Sequence, residues 1–462
     1  MRLSAGEVAK LVAGSIASGD PNAPVEGVSI DSRRVEPGQL FFAIVGPRHD
    51  GHDFVSQAIA RGACGIVASS DVIVGADAFV VRVADTTRAL QDLAAAIRDR
   101  AGVQVVAITG SMGKTTTKDA AAAAIATRHR VLKSEGNLNN HYGLPLSLLR
   151  LGEESVAVLE MGMSAPGEIA RLCEIAKPDV SVLTNVAEAH LEFFGTVEAI
   201  AEAKGEIFVG LKAEGVAVVN ADDPLVLEQA KKFSGREIRF GLSDDADVRG
   251  RVASASSAGV RFTVERGRDR VEVSSPLPGR HNVYNLLAGL AAASALDVPI
   301  ATAARGLKEL SPAHHRGERL ELAGGVVVID ETYNSNPRAL RAALDLLSTE
   351  PGRRHLAVIG DMLELGGAAE ELHRRAGRDA ASRGVDVLIA VGGLADSVLE
   401  GAKDAGIKAV RLDAVRSAEE AGALVKGLLR EGDVVLFKGS RGVGLERAVE
   451  IVRAGRAEGE SA

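Results

Sequence analysis

Between Gly110 and Thr116 the chain reads Gly-Ser-Met-Gly-Lys-Thr-Thr, set between an apolar β-branched run and an alanine-rich segment. Glycines, one ammonium and adjacent hydroxyls in so short a stretch are the parts of a phosphate grip. Gly110 and Gly113 permit backbone angles that other residues resist. The amides of Ser111, Met112 and Thr116 can then converge on an anion at the start of the next helix, where the helix dipole adds attraction. Lys114 can reach terminal phosphates, and the Thr115 hydroxyl can ligate Mg²⁺. The strict P-loop has four residues between its first glycine and its Gly-Lys pair. Here two residues stand between Gly110 and Gly113, and Ile108 occupies the place of that first glycine. The rival reading is an ordinary glycine turn. The succession of strand, loop and helix favours phosphate.

Other chemistry should collect on the same edge. In open α/β sheets, ligands sit beyond the carboxyl ends of the strands. The run SVAVLEMG ends on Glu160, and DVSVLTNVAEAHLEFFG carries His190 shortly after its strand. Thr115, Glu160 and His190 can therefore share a cation. A carboxylate suits Mg²⁺, while a histidine suits a second cation better. Taken alone, Glu160 reads equally as a solvated strand end, and His190 as a capped or packed histidine. Lys204, in the amphipathic stretch GTVEAIAEAKGEIF, reads on its own as a solvated helix lysine.

Positioning such groups takes several domains. A chain of 462 residues is too long for one hydrophobic core. Its 46% hydrophobic and 25% charged content is that of an ordinary globular protein. The net charge of -8 argues against a general nucleic-acid binder. Two cysteines, Cys64 and Cys173, make no disulfide framework and fit a reduced, cytoplasmic setting. The N-terminal stretch is not a signal peptide; Ser4 and Glu7 form a capping-box pattern ahead of a helical run. No stretch reads as membrane-inserting.

Three α/β blocks follow from the pattern. Residues 1–100 carry short strands such as LFFAIVG and CGIVAS; residues 101–312 alternate strand and helix around a parallel sheet; residues 313–462 resume the alternation in a second open, Rossmann-like sheet. Antiparallel strands are expected within VRGRVASASSAGVRFTVERGRDRVEVSSP, and the tail GRAEGESA reads as disordered.

In chain order, DSRRVEPGQLFFAIVG, GSMGKTT, LEMG, NVAEAHLEFFGTVEAIAEAKGEIF, GRHNVYNLLAGLAAA, ERLEL, YNSNP and FKGSRGVGLE resemble the Mur ligase family over essentially the whole chain. GNLNNHYGLP and YNSNP are most similar to the branch that joins D-alanyl-D-alanine to UDP-N-acetylmuramoyl-tripeptide. The resemblance implies a UDP-binding N-terminal domain, a central P-loop ATPase domain and a C-terminal domain for the incoming dipeptide. It implies ATP and Mg²⁺, a monomer, and a carboxylate activated as an acyl phosphate. Lys114 and Thr115 are then expected on ATP phosphates and magnesium, with Glu160 and His190 as metal ligands. Lys204 matches a lysine that relatives carry as a carbamate. Asn282 matches an adenine contact, assisted by Asn285; Arg319 an arginine reaching ATP from the third domain; Asp330 an acid near the ribose; Asn140 a substrate-side asparagine. Ser29, Asp31, Ser32 and Arg33 fall where relatives hold uridine. Asn334 and Asn336 are the expected dipeptide contacts. His190, Asp330 and Asp361 are candidates for the base that deprotonates the amine. The third domain is expected to close over ATP as a rigid body.

Local readings stay open beside these. Asn282 can be a helix cap, YNSNP turn chemistry, and DSRR a solvated turn. Another ligase of the same superfamily, either the diaminopimelate- or lysine-adding Mur enzyme or folylpolyglutamate synthetase, and an ATP-hydrolysing switch or scaffold protein are the rival functions.

Overall fold

The computed structural model describes residues 3–457 and arranges them around three main sheets and a two-stranded ribbon. In the first sheet Gly27–Ser29, Gln39–Phe42, Gly65–Ala68 and Phe79–Arg82 lie parallel, and Ser15–Ser18 adds an antiparallel edge. Side chains alternate across this sheet. Phe41 and Ile66 pack on one face with Val55 and Ala58, and Phe42 and Val67 on the other with Leu90 and Leu93. The Ser4–Glu7 capping box forms, with Glu7 N–H donating to Ser4 Oγ at 3.2 Å and Ser4 N–H donating to the Glu7 carboxylate at 2.9 Å. The helix Thr86–Ala101 then carries the chain to the central sheet.

That sheet has nine strands. Gln104–Thr109 lies between Val156–Glu160 and Val180–Leu183, all parallel; Val216–Asn220 and Arg236–Gly241 extend one side and Val131–Lys133 closes the other. The expected antiparallel segment does not stand apart. Val248–Ser256, Gly259–Arg266 and Asp269–Ser275 continue the same sheet, the first joining Arg236–Gly241 in parallel and the rest forming hairpins. The alanine-rich helix Lys114–Ala126 packs on His281–Ala295. Small side chains allow a close approach there: a Cβ at Gly289 would lie 2.8 Å from Ala120 Cβ.

The third sheet has six strands, ordered Glu318–Leu322, Val326–Glu331, Asp433–Lys438, Arg354–Gly360, Val387–Val391 and Arg411–Val415. All pairs are parallel except the first. The charged strands Glu318–Leu322 and Arg411–Val415 lie at its edges, where one ladder side faces no partner. Residues 455–457 of the tail belong to the final helix, Glu446–Ala457, and residues 458–462 lie outside the described residues. Among the described residues no helix is long and apolar enough to cross a membrane.

One buried ion pair locks this sheet. Arg354 donates to both oxygens of the fully buried Asp433, at 2.9 and 2.6 Å, and to Leu428 O at 2.9 Å. Arg354→Met should strand the Asp433 charge and cost roughly 3 kcal/mol, since breaking a buried pair leaves an uncompensated charge. Urea denaturation followed through this sheet would measure it. An unchanged midpoint would remove the pair from the account.

Candidate active site

The site forms where the central sheet changes winding direction. Gln104–Thr109 has a neighbour on each side, with Glu160 level with Ile108 and Leu183 level with Thr109. Loops leaving the adjacent carboxyl ends diverge and open a crevice. The phosphate loop fills its floor. Gly110 sits at φ 153° and Gly113 at φ 76°. A Cβ at Gly110 would lie 1.9 Å from Thr184 Oγ1, and one at Gly113 would lie 2.1 Å from Asn285 Oδ1, so both positions exclude a side chain. Asn185 fastens the loop. Its carbonyl accepts from Ser111 N–H at 2.9 Å, and its side chain accepts from Met112 N–H at 3.0 Å. Beyond that, the amides at the start of Lys114–Ala126 have no intrahelical acceptor, a geometry that can take an anion.

Thr115 and Glu160 meet directly. The Thr115 hydroxyl donates to one Glu160 oxygen at 2.8 Å, and Asn139 Nδ2 donates to the other at 2.8 Å. Glu160 is buried and its backbone N–H rests on Ser134 Oγ. A buried carboxylate served by neutral donors has oxygen left for a hard cation, and the Thr115 hydroxyl supplies a second oxygen. The donor set fits Mg²⁺. Lys114 Nζ folds back onto Gly110 O at 2.8 Å. Burial lowers the Lys114 pKa, Glu160 opposes that shift, and Arg316 adds to it.

Lys204 is 1% exposed, and its ammonium makes no hydrogen bond or ion pair with any described residue. Burial drives its pKa well below the ordinary lysine value, and the nearby Lys114 cation pushes it further down. The solvated-lysine reading is excluded. His190 takes a left-handed conformation at φ 61°, just ahead of Leu191–Phe194, with Nδ1 2.5 Å from Glu364 Oε2. Burial lowers its pKa, Glu364 opposes, and the Lys204 and Lys114 charges lower it further.

A cleft of about 370 Å³ joins these groups to the third sheet. The loop Ser111–Thr116, Glu160, His190, Lys204, Asn282 and Asn285 line one wall, and Arg316, Glu331, Tyr333, Asn334, Asn336, Arg338 and Lys438 the other. Asn282 is not the cap of its helix: it lies in the first turn and donates to Pro278 O at 2.6 Å, while its Oδ1 accepts from Asn285 Nδ2 at 2.8 Å. Asn336 does cap a helix, accepting from Ala339 N–H at 2.8 Å, and still faces the cleft.

Several expected residues lie elsewhere. Arg319 does not reach the cleft. It sits in the antiparallel edge strand, bonded to Ser257 Oγ at 2.9 Å and paired with Glu350 and Glu321. The arginine beside Lys114 is Arg316, stacked 3.7 Å over the Tyr333 ring. Asp330 is buried against Thr332 and His315, outside the cleft lining. Asp361 is committed to the amides of Gly393 and Leu394 at 2.7 and 3.1 Å. Asn140 turns outward, accepting from Tyr142 and Gly143 N–H, and its neighbour Asn139 enters the cleft. On the first sheet Asp31 forms a bidentate pair with Arg33 at 3.0 Å, which holds the Asp31 carboxyl below its usual range. Ser29 bonds to Asp31, and the buried Ser32 donates to Gln57 at 2.6 Å. This turn is not part of the cleft lining. Asn139, Asn185, Arg316, Tyr333 and Lys438 were not picked out by sequence. Asn139, Asn185, Tyr333 and Lys438 stand inside the motifs GNLNNHYGLP, NVAEAHLEFFG, YNSNP and FKGSRGVGLE, and the tract Asn137–Asn140 offers several asparagines with no sign of which turns inward.

The close fit at Gly113 makes a test. Gly113→Ala must displace Asn285 and strain the loop, and is expected to weaken nucleotide binding about tenfold, as one to two kcal/mol of left-handed strain implies. Calorimetric titration with ADP measures it; unchanged affinity would contradict the steric reading.

The fold and cleft define a multi-sheet α/β nucleotide enzyme, with a phosphate loop on one sheet facing a second sheet across the site. The chain belongs to the Mur ligase family. Residues 24–98 match the Mur ligase family catalytic domain, residues 108–293 the Mur ligase middle domain, and residues 315–441 the Mur ligase glutamate ligase domain. The chain is 38% identical to UDP-N-acetylmuramoyl-tripeptide--D-alanyl-D-alanine ligase of Bacillus subtilis, over 96% of each. It superposes on MurF from Acinetobacter baumannii with a TM-score of 0.90 at 32% identity, covering 98% of this chain and 99% of that one. A MurF ligase from Thermotoga maritima in complex with ADP gives 0.82 at 32% identity, covering 94% and 98%.

Proposed function

We propose that this protein is the ATP-dependent ligase that joins D-alanyl-D-alanine to UDP-N-acetylmuramoyl-tripeptide in peptidoglycan precursor synthesis, acting as a cytoplasmic monomer. One observation carries the reading: the phosphate loop and Glu160 face Asn334 and Asn336 across a single cleft, in a chain related to such ligases along nearly its full length. Nucleotide and dipeptide can meet there.

The chemistry must activate a carboxylate, whose oxygen is a poor leaving group. The acceptor's terminal carboxylate attacks the γ-phosphorus of ATP, and ADP leaves. The dipeptide's neutral amine then attacks the acyl phosphate carbon, and inorganic phosphate departs. Each step brings anions together or spreads negative charge, so fixed cations do most of the work. Lys114 and Arg316 supply positive charge on the two walls, and the amides opening Lys114–Ala126 hold the phosphates. Mg²⁺, held by Thr115 and Glu160 with His190 nearby for a second cation, would neutralise phosphate oxygens. Asn282 and Asn285 serve the nucleotide base. Asn334 and Asn336 orient the dipeptide, and Ser29, Asp31, Ser32 and Arg33 the uridine end. Of the groups considered for the amine's proton, His190 alone lines the cleft. Docking of the third unit keeps water from the acyl phosphate.

The test uses acceptor tripeptide labelled with ¹⁸O in its terminal carboxylate. Phosphate should be released when both co-substrates are present and should carry the label. Release of unlabelled phosphate without acceptor would favour a switch, and preference for a single amino acid over the dipeptide would favour another ligase.

A further inference from the structure

We infer that Glu364 is a positioning residue, reaching from the third sheet unit to fix the ring of His190, and that residues 185–192 couple the phosphate loop to the docking of that unit. This rests on the ligase reading above.

The segment is held from both sides. Toward the phosphate loop, Ser111 Oγ donates to Ala187 O at 3.1 Å and accepts from Ala187 N–H at 2.9 Å, while Asn185 holds the Ser111 and Met112 amides. Toward the third unit, Arg338 donates to Val186 O and to Asp223, both at 3.0 Å, and Arg375 pairs with Glu188 at 2.8 Å. Glu364 completes the set, with its carboxylate on His190 Nδ1 at 2.5 Å and its carbonyl accepting from Glu192 N–H at 3.0 Å. Undocking that unit would break the Arg338, Arg375 and Glu364 contacts to the segment that bears His190.

The conformations on both sides of the contact are unusual. His190 lies at φ 61° and Glu364 at φ 63°, where non-glycine residues are held only by surrounding contacts. The pair is 26% and 46% exposed, so as an ion pair it stabilises the fold little. Its consequence is orientation. The carboxylate oxygen lies against Nδ1 without hydrogen-bond alignment, and this close contact restrains how the ring of a cleft-lining residue can turn. Carboxylates placed in this way behind a histidine typically govern metal affinity and activity by 10–100-fold.

The experiment compares full-length wild type, Glu364→Ala, Glu364→Gln and a control, Arg374→Ala, whose side chain pairs with Glu370 and Glu400 away from the cleft. Mn²⁺ binding to the ADP complex is read by electron paramagnetic resonance, beside kcat, KM for the dipeptide and thermal melting. Glu364→Ala should weaken Mn²⁺ binding and lower kcat by about 10–100-fold, with KM and melting temperature unchanged. Glu364→Gln, which keeps the shape of the side chain against the ring, should recover most of both, and the control should match wild type. Mn²⁺ affinity and kcat within about twofold of wild type in Glu364→Ala would overturn the inference. So would an equal loss in the control, or a loss that follows a lowered melting temperature. Wild type that binds Mn²⁺ with ADP but ligates nothing would instead sink the ligase reading, and the Mn²⁺ arm would still judge Glu364.

Discussion

Lys114→Ala is expected to lower kcat by roughly 10²–10³, the usual effect of losing one preorganised electrostatic stabiliser. The side chain is placed for that role. It springs from the first residue of Lys114–Ala126, folds over Gly110 O, and lies near both Glu160 and Arg316. Burial already disfavours its charge, so a triphosphate entering the cleft relieves an unfavourable state, and the gain grows as negative charge spreads in the transition state. KM for ATP should change less than kcat. Steady-state kinetics with both co-substrates saturating would measure this. Near-normal ligation would remove Lys114 from the mechanism.

Lys204→Ala and Lys204→Arg should each lower kcat by roughly 10², again the scale of one lost electrostatic group. A fully buried lysine beside a second cation, with no anion of its own, has its pKa driven well below the ordinary lysine value, which raises the share of neutral amine. A neutral amine is a nucleophile toward carbon dioxide. The nitrogen lone pair attacks carbon, one C–O π bond becomes an oxyanion, and the amine's proton passes to water. The product carbamate would be an anion facing Lys114, reversing the local repulsion and offering an oxygen ligand for a divalent cation. Arginine keeps the positive charge but cannot take up carbon dioxide. Wild type equilibrated with ¹³C-bicarbonate should show a carbamate resonance that both variants lack, and carbon-dioxide-free buffer should depress wild-type turnover. A missing resonance, with both variants fully active, would end this reading.

Contiguous chemistry was legible along the chain because its geometry is local. A β-branched strand, the loop Gly110–Thr116 and a helix specify one another within a few residues, and Glu160 could be placed because strand ends in a parallel sheet share an edge. The long apolar strands were equally plain. Val131–Lys133, three residues long, and the charged Arg411–Val415 were not, because periodicity needs length and sheet edges tolerate charge.

The sequence by itself determined an alternating α/β chain, a phosphate loop between strand and helix, and the residues available at the carboxyl ends of its strands. Tertiary structure alone decided that Arg316 faces the phosphate loop while Arg319 is held by Ser257 and Glu350, and that Asn139 turns inward while Asn140 caps a turn. It also decided that Lys204 is buried and that Glu364 lies against His190. Neighbouring residues of one type look alike in sequence; strand pairing, helix packing and the docking of one sheet on another choose between them, and those are set by contacts far apart in the chain.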